Sequence, residues 1–368
     1  MKRQIERVNI LAVHLLNNFS GSPKVFANAL LALNEVGAEI ELITSNGPGF
    51  LDGLKLTYHH LSYKWHANRW LRLWNFFIAQ WQIFWKVIFL SRRIDIVYIN
   101  TLLPGSAALA AKLMGKKVIY HMHETHVGDP ALDSILKFMF RFSADKAVFV
   151  SQYLKGQYEK VSHIDRVVVS NSIPLPEEKN NAQGVSKTYD VLMISSLKKE
   201  KGLFEFIQLA SILQHHSFLL IIGSTQEAID TLLGQIGIPH NLTILPAQSN
   251  VHSFYRKSKV LLNLSHPYLL PESFGMTVLE GLSHGLPCIV PPVGGPSEII
   301  EHGVEGYHFP STNLSGIGKQ IDKLLGDEAL YEKQSRAAVE KSACYSHINF
   351  NKNICNQILF FDYKIYRQ

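Results

Sequence analysis

The sequence predicts an α/β protein built as two doubly wound domains, each a parallel sheet covered by helices on both faces. Three observations predict it. Short, nearly continuous apolar runs alternate with helical patterns along the chain, the mark of parallel strands buried on both faces. That alternation stops over a polar, Pro-containing stretch at 171–190 and then restarts. The length of 368 residues exceeds what a single hydrophobic core usually serves.

The first element needs a choice. "MKRQIER" followed by "VNILAVHLL" has the charge-then-apolar order of a signal peptide, but His14 interrupts the run and no small-residue cleavage site follows. The next segment, "NNFSGSPKVFANALLAL", reads as a Gly/Ser turn entering a helix that holds Leu30, Leu31 and Leu33. Strand, turn, helix is therefore the expectation. "EIELITS", "DIVYIN", "KKVIYHMH" and "KAVFVS" supply further strands of a first domain at 1–172. A linker at 173–188 leads to a second domain at 189–349, with strands "DVLMISS", "FLLIIGS", "NLTILP", "KVLLNLS" and "PCIVPP" between helices.

Composition bounds the chemistry. With 46% hydrophobic and 18% charged residues the chain is globular rather than disordered. Three cysteines, Cys288, Cys344 and Cys355, show no C-x-x-C spacing, so neither a disulfide framework nor structural zinc is expected, and a reducing cytoplasm suits them. The charge of +6 is uneven: residues 1–182 carry 21 Lys/Arg and 14 Asp/Glu, a net of +7, and the remainder is close to neutral. The first half thus faces something anionic. No basic helix or RNA-binding aromatic motif points to nucleic acid, which leaves a membrane surface or a phosphorylated substrate.

The segment "RWLRLWNFFIAQWQIFWKVIFL" at 69–90 holds four of the five tryptophans. At 100° per residue Trp70, Trp74, Phe77, Trp81, Phe84 and Ile88 form one stripe, and Arg72, Asn75, Ala79, Gln82 and Lys86 form the opposite, polar one. Its longest charge-free run, Leu73 to Trp85, is shorter than the roughly 20 residues a bilayer requires. Two readings stand, a helix packed on the first sheet and an interfacial membrane helix aided by Lys64, Arg69, Arg72, Lys86, Arg92 and Arg93.

The chemistry-bearing stretch is "PESFGMTVLEGLSHGLPCIVPP". A Gly-containing loop precedes a helix expected from about Met276 to Gly285, with Glu272 in the loop and Glu280 about a turn inside. The backbone N–H groups at Phe274, Gly275, Met276 and Thr277 are then the unsatisfied donors of a helix N-terminus, a ready site for a diphosphate. Two carboxylates flanking such a site suit hydroxyls on either side of it: Glu280 for a ribose, Glu272 for a second polyol. The bland reading has Glu272 capping the helix and Glu280 in solvent.

Two further elements bear on it. "SSLKKEKGLFEF" places Lys198, Lys199 and Lys201 after a strand, at the carboxyl edge where open α/β sheets bind ligands, although a solvated surface role is the bland reading of any one of them. "HMHETHVGD" sets His121 and His123 on one face of a strand end. It is not H-E-x-x-H, so it makes no metal motif; a satisfied structural histidine is the default reading of each, and the strand-end position raises His123 as a substrate contact.

These blocks resemble the retaining glycosyltransferases of family 4. The marks are E-x7-E from Glu272 to Glu280, the following "VGGPSEIIEHGVEGYHF", and "VFVSQYLK", "NSIPLP", Lys201-Gly202 and "LLIIGS", which together span nearly the whole chain. The resemblance implies a GT-B fold of two Rossmann-like domains facing a cleft, and a C-terminal helix at about 350–368 returning to the first domain.

The resemblance also implies transfer of a sugar from a nucleotide diphosphate sugar, with no cofactor and no metal. It gives Glu272 the donor sugar, with His123 beside the reacting carbon, Glu280 the ribose, Lys201 the diphosphate, and Phe274, Gly275, Met276 and Thr277 backbone contacts to the donor. In the first domain the family's glycine pair is reduced to Gly21, and Ser195 and Ser196 stand where members commonly carry Gly-Arg, with Ser196 in the arginine's place. A lysine nearby cannot reproduce that bidentate fork.

The acceptor is then expected to be a lipid-linked or membrane-proximal glycan of surface polysaccharide assembly, reached from an anionic membrane surface on its cytoplasmic face with Trp70, Trp74, Trp81, Arg72 and Lys86 as the contact. Other readings are a nucleotide-sugar epimerase or phosphorylase, and a silent sugar-nucleotide or membrane-surface binder.

Overall fold

The computed structural model describes residues 8–174 and 186–360. The leading "MKRQIER", most of the predicted linker and the end of the expected C-terminal helix lie outside the described residues. The chain divides into two compact units, Met1–Ser172 with Ile348–Gln368, and Ile173–His347.

The first unit runs β1 (Asn9–Val13), α1 (Gly21–Glu35), β2 (Glu39–Ser45), β3 (Thr57–Leu61), α2 (Arg69–Leu90), β4 (Ile96–Asn100), α3 (Gly105–Leu113), β5 (Lys117–Met122), α4 (Pro130–Ser143), β6 (Lys146–Phe149), α5 (Gln152–Gln157) and β7 (Asp165–Val168). Its seven strands are all parallel, in the order β3-β2-β1-β4-β5-β6-β7. Alternate strand residues serve opposite faces. Ile10, Ala12, Ile96 and Tyr98 pack beneath α1.

The second unit runs β8 (Tyr189–Ser195), α6 (Leu203–Ile212), β9 (Phe218–Ile222), α7 (Gln226–Leu233), β10 (Leu242–Leu245), α8 (His252–Arg256), β11 (Ser258–Leu262), α9 (Met276–Ser283), β12 (Cys288–Val290), α10 (Gly295–Ile299), β13 (Gly306–His308), α11 (Leu314–Gly326) and α12 (Glu328–Ala343). Its six parallel strands are ordered β10-β9-β8-β11-β12-β13. The order reverses direction between β8 and β11, so the loops leaving those two strands part there and open a crevice for a ligand.

A last helix, α13 (His347–Leu359), starts a little before the expected position. It adds Phe350, Ile354, Cys355 and Ile358 to the α1 side of the first unit's core. Lys146, a strand residue only 3% exposed, donates to Gln357 O at 3.0 Å and its Oε1 at 2.9 Å.

Three strands escaped the sequence reading: β3, β7 and β13. Each is a sheet edge, paired on one side only, and β3 (TYHHL) and β7 (DRVV) are too polar to show an apolar run.

Helix α2 requires a correction. Its bounds match the 69–90 segment, but the face turned to the protein is Phe76, Ala79, Ile83 and Val87, so Ala79 belongs to the buried side and not to a solvated stripe. Arg72, Asn75, Gln82 and Lys86 flank that side, half-buried. The polar groups have partners there: Asn75 Nδ2 donates to Lys64 O, Gln82 Oε1 accepts from Ser62 N, and Gln80 bridges Leu103 O and Ser106 N. The aromatic stripe points outward instead, with Trp70, Trp74, Phe77 and Trp81 all at least 60% exposed. On α4 the exposed Ile135, Phe138 and Phe142 form another apolar stripe, and Arg69 of α2 pairs with Asp129, the N-cap of α4, at 2.8 Å. Among the described residues no helix is long and apolar enough to cross a membrane.

Candidate active site

The crevice between β8 and β11 gathers Lys201, Glu272, Glu280 and the start of α9 with residues the sequence reading passed over. After β8 the chain passes the exposed Ser196, Lys198 and Lys199 to Lys201 and Gly202. Gly202 has φ +80°, and a methyl added there would lie 2.3 Å from Leu264 O. Only glycine suits a left-handed residue pressed against the β11 loop, and this contact fixes where Lys201 stands.

Lys201 Nζ reaches Glu272 Oε1 at 2.6 Å and Ser265 Oγ at 3.3 Å, while Asn263 Nδ2 donates to Glu272 Oε2. Both members of the ion pair are mostly covered, 16% and 23% exposed. Among the described residues Glu272 does not cap α9, whose N-cap is Gly275. The Glu272 carboxylate is held by a lysine from one loop and an amide from the other, oriented by charge-assisted hydrogen bonds.

Beyond Glu272 the chain folds over the α10 turn. Gly295 N donates to Glu272 O at 2.8 Å, and a methyl on Gly295 would stand 2.3 Å from Phe274 Cα. Phe274 is buried, its ring edge-on to Tyr345. Gly275, at φ +113°, caps α9 and has no side chain to offer the N–H groups of Met276 and Thr277. These two residues open the helix, half-buried. An anion placed there meets peptide dipoles and donors rather than a competing carboxylate.

Glu280 lies one turn in, and its Oε2 accepts from Tyr255 OH at 3.0 Å. Tyr255 is fully buried, and burial followed by the Glu280 charge raises its pKa well above the usual phenol value, so it stays a donor. Its ring stacks on His284, whose pKa burial lowers to about 4.

In the first unit His123 follows the carboxyl end of β5, half-buried, its Nε2 without a partner among the described residues. Its ring centroid lies 4.4 Å from that of His121, whose Nδ1 meets Tyr98 OH at 2.8 Å. Burial, then the neighbouring His121 and His14, hold His123 well below the usual imidazole range, so the ring is neutral at physiological pH.

Beside it, burial pushes Glu124 up to about 7 even though its Oε1 accepts from Leu102 N at 2.8 Å. Leu102 follows Thr101, the one non-glycine residue with positive φ (69°) among the described residues. Gly21 begins α1, exposed, with nothing within 4 Å of an added methyl. The sequence reading missed Tyr255, Asn263, Ser265 and Glu124. For Asn263 and Ser265 a signal existed, since "LLNLSH" sets polar residues just past a strand at a carboxyl edge.

Both halves of the chain are similar to known proteins. Residues 19–176 match the sequence model of Glycosyltransferase Family 4, and residues 176–341 that of Glycosyl transferases group 1. N-acetyl-alpha-D-glucosaminyl L-malate synthase of Bacillus anthracis is 26% identical over 269 residues, 67% of this chain and 69% of its own. Poly(glycerol-phosphate) alpha-glucosyltransferase of Bacillus subtilis is 26% identical over 174 residues, 46% of this chain and 25% of its own.

Among solved structures, HepE of Anabaena, in complex with UDP and glucose, superposes with a TM-score of 0.78 at 15% identity, over 95% of this chain and 99% of its own. That likeness shows the fold, the GT-B class. With both halves matched by glycosyltransferase families over 19–341, the chain belongs to the family 4 type of glycosyltransferases.

Proposed function

We propose that this glycosyltransferase moves a sugar from a nucleotide diphosphate sugar, with retained anomeric configuration and without a catalytic metal, to a lipid-linked or membrane-proximal glycan acceptor in surface polysaccharide assembly. The observation that carries the reading is the Lys201–Glu272–Asn263 cluster beside the uncapped start of α9, at the crevice where a doubly wound sheet takes its ligand.

As the glycosidic bond to the diphosphate breaks, negative charge grows on the leaving oxygen and positive charge on the sugar ring. Lys201, shared with Glu272, and the fixed N–H groups at the start of α9 would meet the first, which supplies the stabilisation a divalent ion gives in other designs. Glu272 would hold the sugar hydroxyls while its charge favours the oxocarbenium-like ring. Glu280, oriented by Tyr255, would accept from the ribose, and His123, neutral, would hydrogen-bond the donor sugar without repelling that cationic ring. The sugar nucleotide is the substrate and no cofactor enters.

The donor reading is supported by HepE, solved with UDP, with UDP and glucose, and with UDP-glucose, and the polymer acceptor by the name of the Bacillus subtilis relative. For the membrane, the support is the outward aromatic stripe of α2, with Arg69, Arg72, Lys86, Arg92 and Arg93 at its margins. Such a surface suits docking on the anionic cytoplasmic leaflet, as a peripheral protein.

A thermal-unfolding screen against UDP-, GDP-, ADP- and dTDP-sugars tests the donor. At about a hundred times Kd the occupied site adds roughly 2.7 kcal/mol. A shift with one base, lost in Glu280→Ala, is expected. No shift with any donor, in the presence or absence of acceptor glycan, would refute the reading. Binding without turnover would favour the silent binder, which the serines at 195 and 196 keep as the second reading.

A further inference from the structure

On the opposite edge of the second unit's sheet, the turn between α6 and β9 carries two adjacent histidines whose rings converge on one carboxylate of α11. His215 Nε2 lies 3.0 Å and His216 Nε2 2.9 Å from the same oxygen, Asp322 Oδ1, and all three donor atoms fall within 4.8 Å of one another. We propose that His215, His216 and Asp322 form a zinc site that clips the α6–β9 turn to α11.

Three features carry it. The two histidine–carboxylate spacings are close to those of ligands around one ion: donors about 2.0–2.1 Å from a tetrahedral zinc stand a little over 3 Å apart, so these two need to open by only a few tenths of an ångström, with all three donors already within 4.8 Å. Two imidazoles and one carboxylate suit zinc and disfavour magnesium or calcium, which take oxygen donors.

The other nitrogen of His216 also faces a carboxylate, with Nδ1 3.7 Å from Asp190 Oδ2. With Nε2 on a metal, Nδ1 carries the proton and faces that carboxylate, the outer-shell arrangement that orients metal-bound histidines. Asp190 is itself fixed, by Lys259 at 2.8 Å and by Ser217 N and Oγ at 3.0 and 3.1 Å.

The site is built before any ion arrives. Asn241 Nδ2 donates to Ala210 O, Leu213 O and His216 O, stapling the turn, and Leu209 and Leu213 meet α11 at Gly318. His216 is 13% exposed, while His215 and Asp322 are 64% and 47% exposed, so solvent can complete the coordination and the ion can exchange. His216 precedes the start of β9, whereas Lys201 and Glu272 follow the ends of β8 and β11. Occupancy therefore acts on the unit's stability, and the proposal stands whether or not the donor reading does.

The test uses untagged protein stripped with EDTA and dialysed, followed by thermal unfolding with zinc chloride, magnesium chloride as control, and a cobalt titration at 25 °C read by visible absorption. Zinc at a hundredfold excess over Kd should raise the midpoint by roughly 5 °C or more, magnesium should not, and cobalt should give the intense bands of a four-coordinate site at one equivalent. His215→Gln and Asp322→Asn, both at exposed positions, should abolish the shift and the bands while keeping the metal-free midpoint. No zinc shift in the wild type would overturn the proposal, as would a shift and cobalt spectrum persisting undiminished in both variants.

Discussion

Gly295→Ala probes the donor loop by steric contact alone. The backbone at Gly295 is outside the positive-φ region, so alanine there carries no strain of its own. Its methyl, however, would lie 2.3 Å from Phe274 Cα and 2.5 Å from Phe274 N and O, where ordinary contact begins at 3.4 Å. A flexible side chain could swing aside, but these are backbone atoms. The segment from Glu272 to Gly275 must therefore retreat by about 1 Å, against the burial of the Phe274 ring.

Overpacking of this kind costs about 1–3 kcal/mol, and the stiffer unfolded chain returns about 0.4–1 kcal/mol, leaving a net loss near 1–2 kcal/mol. A 1 Å displacement of groups that position a reacting sugar costs about a hundredfold in rate, near 2.7 kcal/mol. Activity should thus fall further than stability. The assay is kcat/KM with the donor identified by the binding screen, beside urea unfolding, with Gly156→Ala as a control because nothing lies within 4 Å of its added methyl. Wild-type kcat/KM in a folded Gly295→Ala protein would refute the assignment of this loop to the donor.

Other substitutions follow from the same geometry. Glu272→Ala should lower kcat/KM roughly ten- to a hundredfold, the loss of a charged hydrogen bond worth about 1.5–3 kcal/mol, and an unchanged rate would remove Glu272 from the site. Tyr255→Phe strips Glu280 of its hydroxyl donor, so donor Kd measured by calorimetry should rise about fivefold, for about 1 kcal/mol, with kcat retained. Trp74→Ser with Trp81→Ser should abolish sedimentation with anionic vesicles yet leave the unfolding midpoint within about 1 °C, because both rings are 66% exposed.

Glu124→Gln tests pH linkage. An acid raised by burial from 4.5 to about 7 binds its proton more tightly when folded, so its contribution is full below about 4.5 and lost as pH rises to about 7. Since part of the side chain meets solvent, the variant should gain roughly 1–3 kcal/mol over wild type above pH 7 and nothing below pH 4.5. His14, lowered to about 4 by burial, has the opposite sign, its contribution being lost as pH falls from 6.5, and it cancels in the difference between the two proteins.

What the sequence disclosed follows from which interactions are local. Strands such as β4 (IVYIN) and β9 (FLLII) are buried on both faces, so each writes its environment into consecutive residues. The bounds of α2 were legible because Asn68 caps its start, accepting from Trp70 N and Leu71 N, and because its apolar run is long. Its orientation was not. Periodicity separates two faces but does not say which one the protein covers, and here Asn75, Gln80 and Gln82 find partners on the covered side, among them the backbone before and after the helix. Sequence separation hid Tyr255, which reaches Glu280 25 residues on, and the His215–His216 pair, which meets Asp322 more than 100 residues on; both meet their partners only through folding.

The serines at 195 and 196 acquire physical meaning beside the ion pair. At the position where the resemblance implies an arginine stands Ser196, whose carbonyl accepts from Ser195 Oγ, and Lys199 sits over the Phe204 ring at 5.8 Å. That leaves Lys201 as the only half-buried cation described in the β8 loop, and Glu272 already neutralises it. On the proposed reading a diphosphate must share Lys201 with Glu272 or draw it away, and the attraction is weaker than a free cation with a bidentate arginine would supply. The backbone donors at the start of α9 then carry more of the binding, and these depend on position, not charge. An enzyme so arranged tolerates the loss of one charge but not of loop geometry, which is why a single methyl at Gly295 should harm it more than the absent arginine does.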